Sequence, residues 1–476
     1  GKRKEDYGIS EDTGKEKILV ETPGPNTNKP LHLGHLRNML LGSTISKILS
    51  ASGKQVHIVN VVNDRGVHIC KSMLAYEKLG KGETPEKAGK KSDHFVGDYY
   101  VKYSELEKQD KEKTEREVQE MLLAWEKGDK KVLELWEKMN RWALEGFRQT
   151  YERIGLKIEK EYYESDTYKH GKDIILDGLK KGIFEKDEEG AVIVDLEDKG
   201  LGKKVLLRAN GTTVYITQDI YMAKKRYADF GFDGQIYVVG SEQDYHFKVL
   251  FEVFRLLGFS FWNRCYHFSY GMVELPEGKM KSREGKVIDT DDLIDDVTET
   301  AKKEVKKRYD DLDEDAIQKR SESIAMAAIR FFFLKFDAVK NFVFDVKESL
   351  NFEGETGPYV QYTHARICSI LRKLEQDMPS DADFSTLDKK EEQQLITLLA
   401  DFPDIVRECA KKRKPHILCR YLLDLCQAFN EFYHKIPVIK ADDEETKKAR
   451  IILIAMVRQV IANGLGLIDI EALERM

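Results

Sequence analysis

The apolar positions change their period several times along the chain, and those changes divide it. Lys17-Ile-Leu-Val-Glu21 is a short apolar run with a charge at each end, the pattern of a buried strand. From Gly34 to Ser52 apolar residues recur at helical spacing, and Gly53 supplies a stop. Val56-His-Ile-Val-Asn-Val-Val62 alternates like a second strand, ends in Asn63-Asp-Arg-Gly66 and leads into another helical pattern. A strand, helix, strand, helix order predicts a parallel sheet, with any ligand at the C-terminal ends of its strands.

Between Lys81 and Glu164 the sequence turns charged and poor in glycine and keeps helical periodicity, as in Glu105 to Gln119 and Val132 to Tyr151. It reads as a helical insertion. Strand signals return at Val192–Leu196, Val205–Leu207, Thr213–Thr217 and Gln235–Val239, the last two flanking a helix expected to begin near Asp219. The sheet is expected to be completed there. Beyond Asp289 nearly everything is helical; Ala325 to Phe336 is too apolar for solvent and is expected between domains. Long amphipathic stretches from Asn351 to Met476, broken at Met378-Pro-Ser-Asp and Lys440-Ala-Asp-Asp, predict a helical bundle. The expected division is a polar segment 1–16, a sheet domain in two halves (17–80 and 191–290) around a mainly helical insertion (81–190), a helical connector (291–350) and the bundle (351–476).

Composition narrows this picture. A chain of 476 residues is a prior for about three domains, and 41% hydrophobic with 34% charged residues excludes disorder as its main state. No uncharged run approaches the roughly 20 residues that cross a bilayer, so a soluble protein with no membrane partner is expected. Six cysteines, none in a C-x-x-C pair, suggest a reducing compartment and no cysteine zinc site. Lys2 to Lys17 lacks a signal peptide's apolar core, and a cytoplasmic location is expected. The net charge of −6 argues against indiscriminate polyanion binding but leaves room for local basic surfaces, such as Lys411-Lys-Arg-Lys414.

Two short motifs carry candidate chemistry. Pro25-Asn-Thr-Asn-Lys-Pro-Leu-His32-Leu-Gly34-His35-Leu-Arg37 lies between a strand and a helix. It sets two histidines one turn apart at the positive end of the helix dipole, with Gly34 admitting a ligand close to the backbone. Alone it is a phosphate site at even odds, against a zinc pair or a surface H-x-x-H. Gly278-Lys-Met-Lys-Ser-Arg-Glu-Gly285 is a glycine-bounded loop whose Lys279, Lys281 and Arg283 suit a triphosphate; read alone it is more often an exposed basic turn. His57, His68, His94 and His170 match nothing recognisable and are expected at the surface or in packing.

Taken in order, H-x-G-H, a helical insertion, the rest of the sheet, K-M-K-S and an all-helical tail resemble a class I aminoacyl-tRNA synthetase over almost the whole chain. Lys279-Met280-Lys281-Ser282 departs from that family's K-M-S-K-S, Ser282 standing where its second lysine belongs. The arginyl-tRNA synthetase branch often lacks that lysine and is thought to use one just upstream of H-x-G-H, here Lys29. Glu21-Thr-Pro-Gly-Pro-Asn26, Tyr215-Ile-Thr-Gln-Asp219, Ser241-Glu-Gln243-Asp-Tyr-His246 and Tyr359-Val-Gln-Tyr-Thr-His-Ala-Arg366 are also similar to arginyl segments. In them, Gly24 replaces the commoner serine and Gln218 the usual arginine.

The resemblance implies an α/β, Rossmann-like catalytic domain with a helical insertion, followed by an all-α anticodon-binding bundle. It implies arginine contacts from Glu21, Asn26, His35, Tyr215, Asp219 and Gln243, and ATP contacts from His32, Gly34, His35, Lys279, Met280, Lys281 and Ser282. His32, His35, Lys29, Lys279 and Lys281 would form the catalytic set, and Tyr359, Tyr362 and Arg366 would meet tRNA. Partners would be tRNA(Arg), L-arginine and ATP with Mg²⁺, with no protein-bound metal and a monomeric chain. Physical reasoning favours a cationic substrate too, because Glu21 and Asp219 are expected at strand ends, where carboxylates can satisfy a guanidinium's fork of donors. Rivals are a smaller H-x-G-H nucleotidyltransferase, a catalytically silent tRNA-binding paralogue, or another class I synthetase.

Overall fold

The computed structural model describes residues 5–10, 14–276, 288–308, 312–374, 378–441 and 443–476. Strand β1 (Lys17–Glu21) is followed by α1 (Leu33–Ala51), β2 (Gln55–Val62) and α2 (Val67–Leu79). A single turn, α3 (Pro85–Ala88), then opens a run of three long helices, α4 (Ser92–Gln109), α5 (Lys111–Lys127) and α6 (Lys130–Arg153). Asp110 and Asp129 start α5 and α6 by accepting the N–H groups of Lys113 and Val132. Next come β3 (Lys160–Tyr163), the short α7 (Glu164–Thr167), α8 (Lys172–Lys180), β4 (Glu185–Lys186), β5 (Val192–Leu196) and β6 (Gly202–Leu207). The order continues with α9 (Tyr215–Phe230), β7 (Gly234–Gly240), α10 (Asp244–Leu256), β8 (Cys265–Tyr270) and β9 (Val273–Glu274).

Five of these strands form one parallel sheet in the order β3-β2-β1-β7-β8. The chain builds outward from β1 through β2 to β3, then crosses back to lay β7 on the other side of β1. The crevice between the C-terminal ends of β1 and β7 is therefore the topological switch point, where open α/β sheets bind ligands. Both faces of β1 are covered, as a parallel sheet requires. Ile18 and Val20 face α1 and the C-terminal helices, while Leu19 packs with Ile216, Ile220 and Leu250 of α9 and α10.

Four expectations are corrected. Val192–Leu196 and Val205–Leu207 do not complete the parallel sheet; with β4 they form a separate antiparallel sheet, order β4-β5-β6. Their exposed polar residues, Asp195 and Lys203 paired across the strands among them, suit a sheet with one wet face. Thr213–Thr217 is not a strand: α9 begins at Tyr215, where the Thr217 hydroxyl accepts the Val214 N–H. Asp219 consequently sits one turn into a helix rather than at a strand end. Lys160-Glu-Tyr-Tyr163, read as part of the helical insertion, pairs with β2 as an edge strand.

After Ile288 the chain is helical apart from the two-residue β10 (Phe342–Val343), which pairs with β9. The helices are α11 (Thr290–Arg308), α12 (Glu314–Leu334), α13 (Val346–Ser349), α14 (Gly357–Arg372), α15 (Lys390–Lys412), α16 (Pro415–Lys435) and α17 (Glu444–Leu467). Helix α12 lies between domains as expected: Ala327, Phe331 and Leu334 enter the core of the bundle, and Ala325, Ala328, Phe332 and Phe333 enter the core of the insertion. Helix α17 is long and apolar enough, by length and composition, to span a bilayer, yet Ile451, Ile454, Val457 and Ile461 are fully enclosed in the bundle core.

Candidate active site

The switch-point crevice is a cavity of about 400 Å³. Glu21 and Thr22 at the end of β1, His32, Gly34 and His35 at the start of α1, and Val238 to Gly240 at the end of β7 form one wall; Tyr215, Asp219 and Arg226 of α9 form another. Asn38, one turn into α1, ties the wall together. Its Oδ1 accepts the Thr22 hydroxyl at 2.5 Å, and its Nδ2 donates to the Val238 carbonyl at 2.6 Å and the Tyr270 hydroxyl at 3.1 Å.

The two histidines cap α1 reciprocally. The Gly34 N–H donates to His32 Nδ1 and the His32 N–H to His35 Nδ1, both at 3.1 Å, with the rings 3.9 Å apart. A ring nitrogen that accepts carries no proton, so in each neutral ring the proton lies on Nε2. Burial, with Lys29 and the facing ring helping, lowers His32 to about 4 and His35 well below the usual imidazole range. Two neutral Nε2–H donors thus stand at a helix N-terminus, a fitting surface for phosphate oxygens. Burial also lowers the Lys29 ammonium.

Acidic groups collect opposite. Glu21 does not stand alone: Arg226, 1% exposed and on the same face of α9 as Asp219, pairs with its Oε2 at 2.5 Å and lies over the Tyr162 and Tyr237 rings. Burial works against the charge on Arg226, and the Glu21 carboxylate more than offsets it. Asp219 Oδ2 lies 2.7 Å from His246 Nε2 and is partly exposed. Glu164, just past β3, also lines the cavity; burial pushes its carboxyl up to about 7, against the pull of Arg65 and a hydrogen bond from Gln218. Glu164 went unread because its strand did. Arg226, seven residues after Asp219, could have been found from helical spacing.

The structure therefore brings Glu21, His32, Gly34, His35, Tyr215 and Asp219 around one cavity. Asn26 is exposed and pairs by its backbone with Asn63, and Gln243 ends an exposed turn after β7; neither lines the cavity. Lys279, Met280, Lys281 and Ser282 lie outside the described residues. On α14, Tyr359 and Arg366 are linked through Asn430, with Arg366 over the Tyr433 ring, while Tyr362 faces solvent. In the basic run, Lys412 pairs with Glu408, Lys414 with Asp337, and Arg413 lies over Tyr266. Asp93, His94 and Asp291 bring donor atoms within 4.8 Å of one another, but Lys91 and Arg153 already pair with those carboxylates.

Comparison with known proteins agrees with this arrangement. Residues 3–346 match the family model for the catalytic domain of the arginine-type class I tRNA synthetases, and residues 360–476 match the DALR anticodon binding domain. The arginine–tRNA ligase of Bacteroides thetaiotaomicron is 46% identical over 99% of this chain and 83% of its own length. That of Treponema denticola is 47% identical over 100% of this chain and 82% of its own. The arginyl-tRNA synthetase structure from Thermus thermophilus superposes with a TM-score of 0.84 at 29% identity, covering 97% of this chain and 83% of that one. The chain belongs to the arginyl-tRNA synthetase family of class I aminoacyl-tRNA synthetases.

Proposed function

We propose that the protein is an arginine–tRNA ligase that activates L-arginine with ATP, taken as its Mg²⁺ complex, and transfers it to tRNA(Arg). The observation that carries this reading is one cavity with neutral imidazole donors at a helix N-terminus and carboxylates facing them across the sheet's switch point. The first end suits phosphates, the second a guanidinium.

In the first step a carboxylate oxygen of arginine attacks the α-phosphorus in line. The bond to the bridging oxygen breaks, and pyrophosphate departs with that oxygen. No side chain serves as nucleophile, so acceleration comes from positioning and from stabilising charge on the phosphates. His32 and His35 donate their Nε2 protons to phosphate oxygens without adding a charge that would hold the product. Lys29, with Lys279 and Lys281 of the K-M-K-S stretch, neutralises the leaving pyrophosphate, and Met280 and Ser282 belong to the same ATP contact. In the second step the 2′-hydroxyl of the tRNA's terminal adenosine attacks the arginyl carbonyl and AMP leaves.

Asp219 and Glu164 accept the substrate guanidinium, Tyr215 closes over it, and Asn26 and Gln243 contribute from the rim. Glu21 is held in place by Arg226. Tyr359, Tyr362 and Arg366 on the bundle meet the tRNA, whose unpaired bases are open to stacking. Domain boundaries at 81, 291 and 351, a monomeric chain and a cytoplasmic location complete the reading, while the boundary expected at 191 falls inside the β4-β5-β6 sheet. The test is attachment of labelled arginine to total tRNA with ATP and Mg²⁺, beside lysine and cysteine. Charging with arginine alone is the expected result. TRNA binding without charging would favour a catalytically silent paralogue.

A further inference from the structure

His94 matched no motif, yet it joins the helical insertion to the loop that carries His32. Segment 288–290 pairs with 31–33: the Leu33 N–H donates to the Ile288 carbonyl at 3.1 Å and the Thr290 N–H to the Leu31 carbonyl at 2.8 Å, so that His32 and Asp289 face each other across an antiparallel bridge. Both carboxylate oxygens of Asp289 are engaged. Oδ1 accepts the Asp291 N–H at 2.9 Å, and Oδ2 lies 3.2 Å from His94 Nε2. Asp291 is anchored in turn by Lys91 at 2.7 Å, the Thr150 hydroxyl at 2.8 Å and Arg153 at 3.4 Å.

We propose that His94 is a positioning residue for the nucleotide end of the site: through its ion pair with Asp289 it holds segment 288–290 in register on Leu31–Leu33 and so fixes where His32 presents its ring. This rests on the reading above that His32 meets ATP. Two close approaches support the same buttress independently. Helix α4 meets the motif loop at Gly97, where a Cβ would lie 2.6 Å from Pro30, the neighbour of Lys29. Helix α6 meets α4 at Gly146, where a Cβ would collide with the Asp93 carboxylate. The insertion therefore touches the His32 loop directly at Pro30 and reaches it again through Asp289, while α6 braces α4 behind these contacts. Facing carboxylates from Asp289, Asp291 and Asp93 more than offset burial and raise His94 to about 10, so the cation persists at neutral pH.

His94→Asn, His94→Arg, Asp289→Asn and the double variant His94→Asn/Asp289→Asn separate positioning from folding. In pyrophosphate exchange run with tRNA present, His94→Asn should raise the ATP KM roughly tenfold with the arginine KM unchanged. His94→Arg should recover most of the loss, and the double variant should be no worse than His94→Asn. An unaltered ATP KM in His94→Asn would overturn the proposal, as would ATP and arginine constants rising together in step with lost folded protein. The His32 imidazole NMR signals give a reading independent of turnover: they should move in His94→Asn, and unmoved signals also overturn it. Should the wild-type protein fail to charge arginine or to exchange pyrophosphate, the functional reading falls, and the His32 signals in His94→Asn still decide whether His94 positions that ring.

Discussion

Asp219 and Glu164 reach the same cavity, and each can be tested alone. Asp219 is 44% exposed and has His246 beside it, so losing it leaves a guanidinium short of one well-solvated acceptor. Asp219→Ala should lower kcat/KM for arginine by about 2 kcal/mol, the low end for breaking a hydrogen-bonded charge pair, or roughly 30-fold. Unchanged arginine kinetics would remove the residue from the pocket. Glu164, raised to about 7 by burial, gains its charge across the neutral range. The arginine KM should therefore fall as pH rises from about 6 to about 8, and Glu164→Gln should flatten that dependence. A raised carboxyl pKa also means that this group erodes folding stability as pH climbs from its unfolded value toward 7, the sign opposite to that of a salt-bridged acid. The sequence made Asp219 legible through its motif. Glu164 was hidden behind a strand of two tyrosines and two charges, whose edge position frees it from needing an apolar run.

Among the elements, α1 does more than present the histidines. Arg37, two residues past His35 and fully buried, donates to four carbonyls, those of Gly271, Met272, Ala338 and Lys340, and lies over the Phe342 ring. The helix thereby fixes the backbone leaving β8 and the turn before β10. Burial lowers the guanidinium to about 10 without discharging it at neutral pH. Arg37→Met should cost about 3 kcal/mol of stability by stranding those acceptors, read as a lower denaturant midpoint. A midpoint within error of wild type would mean that water replaces the donors. Alternation and helical period revealed β1, α1, β2 and β7 because burial on both faces demands apolar runs. The start of α9 was misread because Thr-Thr-Val-Tyr-Ile-Thr is β-prone by composition, whereas the Thr217 hydroxyl, accepting the Val214 N–H, caps a helix there.

Across the whole molecule, α12 belongs to two cores at once, and a second clamp works beside it. Arg330 of α12 and Lys47 of α1 both pair with Asp469, which follows α17 and takes a left-handed backbone of φ +59°. Catalytic region and bundle should accordingly melt together, as a single calorimetric transition whose midpoint drops in Phe331→Ala by an amount matching about 3–5 kcal/mol. Two separated transitions would show that the shared helix does not couple them. The sequence foretold that this apolar helix lies between domains, whereas the clamp was invisible, since nothing local marks one aspartate among so many surface charges. One consequence reaches beyond the molecule. Arg37 and Arg226 are enclosed arginines, one organising the backbone beside the histidine-bearing helix α1 and the other pairing with Glu21 at the cavity wall. Every copy of the protein is therefore assembled from the product of its own reaction. A batch made while charging is inaccurate would carry the errors at its own site, so fidelity here is inherited from one generation of enzyme to the next.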